Sequence, residues 1–170
     1  MKNYLLMLLV AAVISLVPNE SYAQFEKGDK ILNLGIGGGG YGFYSSGFAV
    51  GGSFEYGIHD FVSVGAQADI KFYNYGYLVG PKSNYVALPI AARGSYHYGK
   101  HFLTIDNLDL YAGPALGINI DNNQYYTNSV IVIGVFAGAR YYFKPAMGGF
   151  VEFAGGNNMI PAKVGLSFKF

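Results

Sequence analysis

Three groupings in this 170-residue chain are of residue types that could do chemistry. Gly35-Ile36-Gly37-Gly38-Gly39-Gly40 contains a G-x-G-x-x-G after an apolar stretch, and Glu55 follows at about the spacing of a ribose-binding acid. Ser95, His97 and Asp109 are the residue types of a hydrolase triad. Single charges are scattered through otherwise apolar sequence: Glu55, Asp69, Asp109 and Glu152 against Lys71, Arg93, Arg140, Lys163 and Lys169. The absence of cysteine excludes disulfides, thiolate metal sites and thiol nucleophiles together. His59, His97 and His101 show no metal-ligand spacing with carboxylates on one strand face, and His59 and His101 fall in turns. No metal site is expected. Nor does a net charge of +1 suggest nucleic acid as a partner.

The elements that carry these residues decide among the readings. A dinucleotide site needs a helix that opens on the last glycine and turns its N-terminus to the pyrophosphate. Here Tyr41-Gly42-Phe43-Tyr44-Ser45-Ser46 leads into another alternating segment, so no cofactor is expected. Past Gln24 the apolar period is 2, as in strands, and no helix-period stretch occurs. Leu32, Leu34 and Ile36 open the series. Phe48 to Ile58, Val62 to Phe72, Val86 to Ala92, Leu108 to Ile118 and Ile131 to Tyr141 continue it. Val151 and Phe153 flank Glu152, and Val164, Leu166, Phe168 and Phe170 close the chain opposite Lys163, Gly165, Ser167 and Lys169. That makes eight strands of about 10 residues, enough for a tilted strand to cross a hydrocarbon layer.

The intervening set decides which face meets what. A soluble barrel would turn Lys, Glu, Thr and Gln to water. Here the set is mostly Gly, Ala and Ser, with only 12% charged residues in the whole chain. Small residues around a few ionic ones suit the narrow interior of an eight-stranded barrel. Four acids and five bases are assigned there, near the balance that an enclosed space requires. Glu55, Asp69 and Glu152 are expected to pair with Arg93 and Arg140 in a mid-barrel network, with Lys71 beside it. Ser95 and His97 would then point into the barrel near one mouth, away from lipid and surface, and catalysis is not expected. Pro89 and Pro114 lie inside strands, where a closed barrel has no harmless edge, and a bulge is expected at each.

Connections are expected to alternate. Short ones lie at residues 58–61 and 144–147, and a longer one runs from about Gly99 to Asp106. Long loops are placed near 37–47, 74–84, 121–129 and 155–161. Aromatics gather at both ends of the strands as two belts. Phe43, Tyr44, Phe48, Phe72, Tyr73, Tyr75, Tyr85, Tyr125 and Tyr126 sit by the long loops; Tyr56, Phe61, Tyr96, Tyr98, Tyr142, Phe143, Phe150, Phe168 and Phe170 sit by the short turns. Ahead of the strands, Lys2 precedes a 14-residue apolar run, Tyr4–Val17, and Ser21-Tyr22-Ala23 supplies small residues at a cleavage site. Residues 1–23 read as a signal peptide, too short to span a membrane, with 24–170 as the barrel domain.

Leu88-Pro89-Ile90, Ala112-Gly113-Pro114, Arg140-Tyr141-Tyr142-Phe143 and the ending Gly165-Leu166-Ser167-Phe168-Lys169-Phe170 together resemble small bacterial outer-membrane barrels. The relevant families lie around the OmpA transmembrane domain and OmpX, and more closely the barrel-domain proteins common in Bacteroidetes. The resemblance implies an outer-membrane lipid environment. It also implies a terminal signal, Phe168 and Phe170, read by the barrel-assembly machinery. The expected function is a structural or surface-interaction role, with loops 37–47, 74–84 and 121–129 as sites for an extracellular ligand, in a monomer. The alternatives are a narrow pore for ions or small solutes, and a lipid-modifying enzyme.

Overall fold

A computed structural model describes residues 25–38, 45–75, 83–102, 105–122 and 130–170. The proposed signal peptide, Phe43, Tyr44, Tyr125 and Tyr126, and most of the three loops named as ligand sites lie outside the described residues. Eight strands follow one another: β1 (Lys30–Gly38), β2 (Ser45–His59), β3 (Val62–Tyr75), β4 (Ser83–His97), β5 (Leu108–Asp121), β6 (Ile131–Lys144), β7 (Met147–Asn157) and β8 (Ala162–Lys169). Each pairs antiparallel with its neighbours in sequence, and β1 pairs with β8 to close the barrel. Closure leaves no edge strand, so each strand finds ladder partners on both sides.

Alternation sends opposite chemistries to the two faces. Leu34, Ile36, Val50, Phe54, Val64, Ile70, Leu116, Ile133, Val135, Phe153, Val164 and Leu166 stand exposed on the outer wall. Asn33, Glu55, Asp69, Lys71, Arg93, Asp109, Arg140, Glu152, Lys163 and Lys169 are buried inside. A water-soluble chain would have this the other way round; an apolar wall of this extent is a hydrocarbon-facing surface. Among the described residues no helix is long and apolar enough to cross a membrane.

Three expectations are corrected. The prolines sit without bulges. The β3–β4 ladder passes from Ala68–Ile90 to Lys71–Ala87 across Pro89 in unchanged register, and β4–β5 passes from Arg93–Ala115 to Tyr96–Ala112 beside Pro114. Losing two bridges at each place is enough to accommodate them, so the facing of neighbours is kept. The register shifts lie instead at the short turns, between Gly57 and His59 and between Tyr142 and Lys144.

The loop placed at 155–161 is short. β7 runs to Asn157 and β8 starts at Ala162, while Met159 and Ile160 between them are buried. Asn158 holds the tight turn with φ 59° and donates from its side-chain amide to the Ile131 carbonyl. Finally, not all belt aromatics face out. Tyr73, Tyr142 and Phe150 are buried inside, because the strand parity that sets their facing overrides their position near a rim. Phe48 and Phe72 stack on the outer wall by the loop end, and Tyr56, Tyr96, Tyr141 and Phe143 are exposed by the terminal end.

Candidate functional site

The interior is one connected polar and ionic cluster to which every strand contributes. Asp109 on β5 lies directly opposite Arg140 on β6, and Glu152 on β7 opposite Lys163 on β8, so the register alone creates two close pairs of opposite charge. Arg140, fully buried, sits at the centre. It donates to Glu55 on β2, to Asp109 at 2.8 Å and to Asn33 on β1 at 3.2 Å, while the Tyr111 ring covers it at 3.7 Å. Arg93 on β4 donates to Glu152 at 2.7 Å and to Gln67 on β3 at 3.2 Å, lies 3.5 Å from Glu55, and packs 3.7 Å from the Phe136 ring. Tyr111 adds a hydrogen bond to Glu152 at 3.1 Å. Fork-shaped guanidinium groups can serve several carboxylates at once, which suits a cluster built from all sides.

The pairing differs from the sequence expectation at one acid. Asp69 pairs with Lys163 at 3.3 Å instead of with an arginine, because Lys163 projects from β8 across the lumen to reach it. Lys163 also approaches Glu152 to 3.6 Å and so joins Asp69 to the centre. Lys71 sits nearer the loop end, its ammonium 6.0 Å from the Tyr73 ring, whose hydroxyl donates to Asp121 at 2.7 Å. Lys169 closes the other end with Asp29 at 3.2 Å. Sequence reasoning placed Asp109 and Lys163 inside but left them out of the network; only cross-strand register and reach could have put them in it.

The hydrolase-like grouping is rearranged. His97 Nδ1 lies 2.9 Å from Asp109, but its Nε2 faces Ser63, not Ser95, at 3.0 Å. Ser63 escaped the sequence argument because it comes from β3, opposite Ser95 in the ladder. The Ser63 hydroxyl donates its one proton to Glu55 at 2.6 Å, so that proton is committed elsewhere than to His97. A nucleophile needs its proton taken by the base. Phe25 then lies flat over the imidazole, with ring centroids 3.5 Å apart. The grouping is thus packed into the lumen network and covered by a ring.

Residues 25–29 cross the terminal mouth. Gly28 donates to the Gly57 carbonyl and Gly57 to that of Asp29, at 2.9 and 2.8 Å, and the Phe25 ring drops inside. Gly57 must lack a side chain, since a Cβ there would stand 2.6 Å from the Glu26 carbonyl. Among the described residues no group of histidines and acids could hold a metal. Among the described residues, Arg93 Nε and both side-chain amide atoms of Asn119 are buried without a hydrogen-bond partner.

No protein-family model and no curated protein matches the chain. Solved structures do. The outer membrane protein OprG of Pseudomonas aeruginosa superposes with a TM-score of 0.62 at 14% identity, covering 88% of this chain and 99% of that one. A de novo designed transmembrane β-barrel superposes with a TM-score of 0.52 at 17% identity, covering 86% and 99%. At these identities the likeness is one of fold, that of the small membrane barrel.

Proposed function

We propose that this chain is a small integral barrel of the bacterial outer membrane with a closed lumen, acting as a structural or surface-interaction protein. Residues 1–23 direct its export, and 24–170 form the barrel. Short turns and both termini face the periplasm and the longer loops face outward, as in membrane barrels generally. The observation that carries the reading is the pairing of an apolar wall with an interior filled by polar and ionic side chains from all eight strands and capped by Phe25. Phe168 and Phe170 serve as the assembly signal, and loops 37–47, 74–84 and 121–129 are the candidate contact sites for an extracellular ligand.

Membrane fractionation with heat-modifiable gel mobility tests barrel and location together. Reconstitution in planar bilayers tests the lumen. The chain should sediment with the outer membrane, migrate faster unheated than boiled, and conduct no ions. Steady single-channel conductance would replace the closed lumen with a pore; a folded monomer in detergent-free buffer would end the membrane reading altogether.

A further inference from the structure

The connection between β4 and β5 is built unlike the other two at the terminal end. Those are two-residue turns, Asp60-Phe61 and Pro145-Ala146, whereas this one makes a single 3₁₀ turn over Gly99–His101 and extends to Asn107. Just after that turn Phe102 is 80% exposed, by far the most exposed large apolar side chain described, and Ile105 is 46% exposed. Beside the apolar outer wall, they add to an exposed apolar surface that an interaction partner would cover.

We propose that this turn lies in the inner-leaflet headgroup region of the membrane and anchors the barrel there, with phospholipid as its partner. The inference rests on the membrane reading above and adds a contact that the strands do not make. The turn is continuous with the lipid-facing wall. Tyr96 stands on that wall, and its hydroxyl shares a 2.8 Å hydrogen bond with His101 Nε2. The Phe61 ring packs against the same imidazole, with centroids 4.7 Å apart. The turn is thereby fastened to the wall, and Phe102, the next residue, extends the apolar surface beyond the strand end. Lys100 in the same turn supplies a cation at the level where lipid phosphates lie. Aromatic rings with a basic neighbour at a membrane boundary are favoured at headgroup depth. The turn is joined to the lipid-facing wall, which favours lipid as its occupant.

The chain contains no tryptophan, so a single introduced indole reports on its own site. Phe102→Trp and, as a reference on the outer wall of β6, Val135→Trp would each be reconstituted in phosphatidylcholine–phosphatidylglycerol vesicles. The lipids would carry bromine either near the headgroup or deep in the acyl chain. The proposal expects blue-shifted emission from the indole of the Phe102→Trp variant, quenched more by shallow than by deep bromine. The indole of the Val135→Trp variant should be quenched from within the chain region. Quenching of the Phe102→Trp variant by aqueous acrylamide alone, with the Val135→Trp variant quenched by lipid, overturns the anchor and leaves the membrane reading standing. Lipid quenching of neither variant overturns both. Should Phe102→Trp fail to show heat-modifiable mobility, Ile105→Trp gives the same readout from the same connection.

Discussion

The ring of Phe25 lies parallel to the imidazole of His97, 3.5 Å between centroids and 3° between planes, and closes the terminal mouth over the Ser63–Glu55 pair. His59 and His101 are exposed while His97 is buried. In the intact protein diethyl pyrocarbonate should therefore modify His59 and His101 and spare His97, by peptide mass. Phe25→Ala should make His97 reactive as well. Continued protection of His97 in that variant would mean that the ring is not what shuts the mouth.

Arg140 faces two carboxylates, Glu55 and Asp109, in a space closed to solvent. Arg140→Leu leaves both without their main counter-charge, a change that typically costs about 3–5 kcal/mol. Adding Glu55→Gln removes one of the stranded charges, so the double variant should recover part of the loss. Urea titration of the barrel in vesicles, read by heat-modifiable mobility, measures both. Equal losses in the single and double variants would show that the two residues are not coupled.

Gly138 gives up its side chain to the Tyr111 ring: a Cβ there would meet that ring at 2.5 Å and the Val151 carbonyl at 2.8 Å. The ring cannot simply swing away, since it covers Arg140 and bonds Glu152. Gly138→Ala is expected to lower stability by about 1–3 kcal/mol, the usual range for overpacking. Trimming Tyr111 to Leu in the same chain should blunt that effect, and thermal scans in detergent of the parent chain, Gly138→Ala, Tyr111→Leu and the double variant would show it.

Asn119 points the other way energetically. Both of its amide atoms are buried without a hydrogen-bond partner, two and four residues along the same face of β5 from Gly117 and the apolar Ala115. An unsatisfied buried polar group costs about 1–3 kcal/mol. Asn119→Leu, of similar size, should raise the urea midpoint while leaving the slope unchanged. A lowered midpoint would mean that the amide is satisfied by water in the folded barrel.

Much of this architecture was legible from residue order. Period-2 alternation decides which side chains share a face, and that alone placed Glu55, Asp69, Lys71, Asp109, Arg140 and Glu152 together on the side opposite Leu34, Val64 and Ile133. The dearth of charges then decided that the apolar face is the outer one, because a water-facing wall could not have been coated from such a composition. Alternation is a local property of an extended chain, so it survives without knowledge of neighbours.

What residue order does not contain is the register between strands and the reach of long side chains across the lumen. Those settled that Asp69 meets Lys163 and that His97 meets Ser63 in place of Ser95. They also showed that Pro89 and Pro114 cost the ladder two bridges each but no shift. Each of these depends on which residue of another strand stands opposite. Barrel closure fixes that through the geometry of all eight strands at once, and no segment of the chain carries it alone.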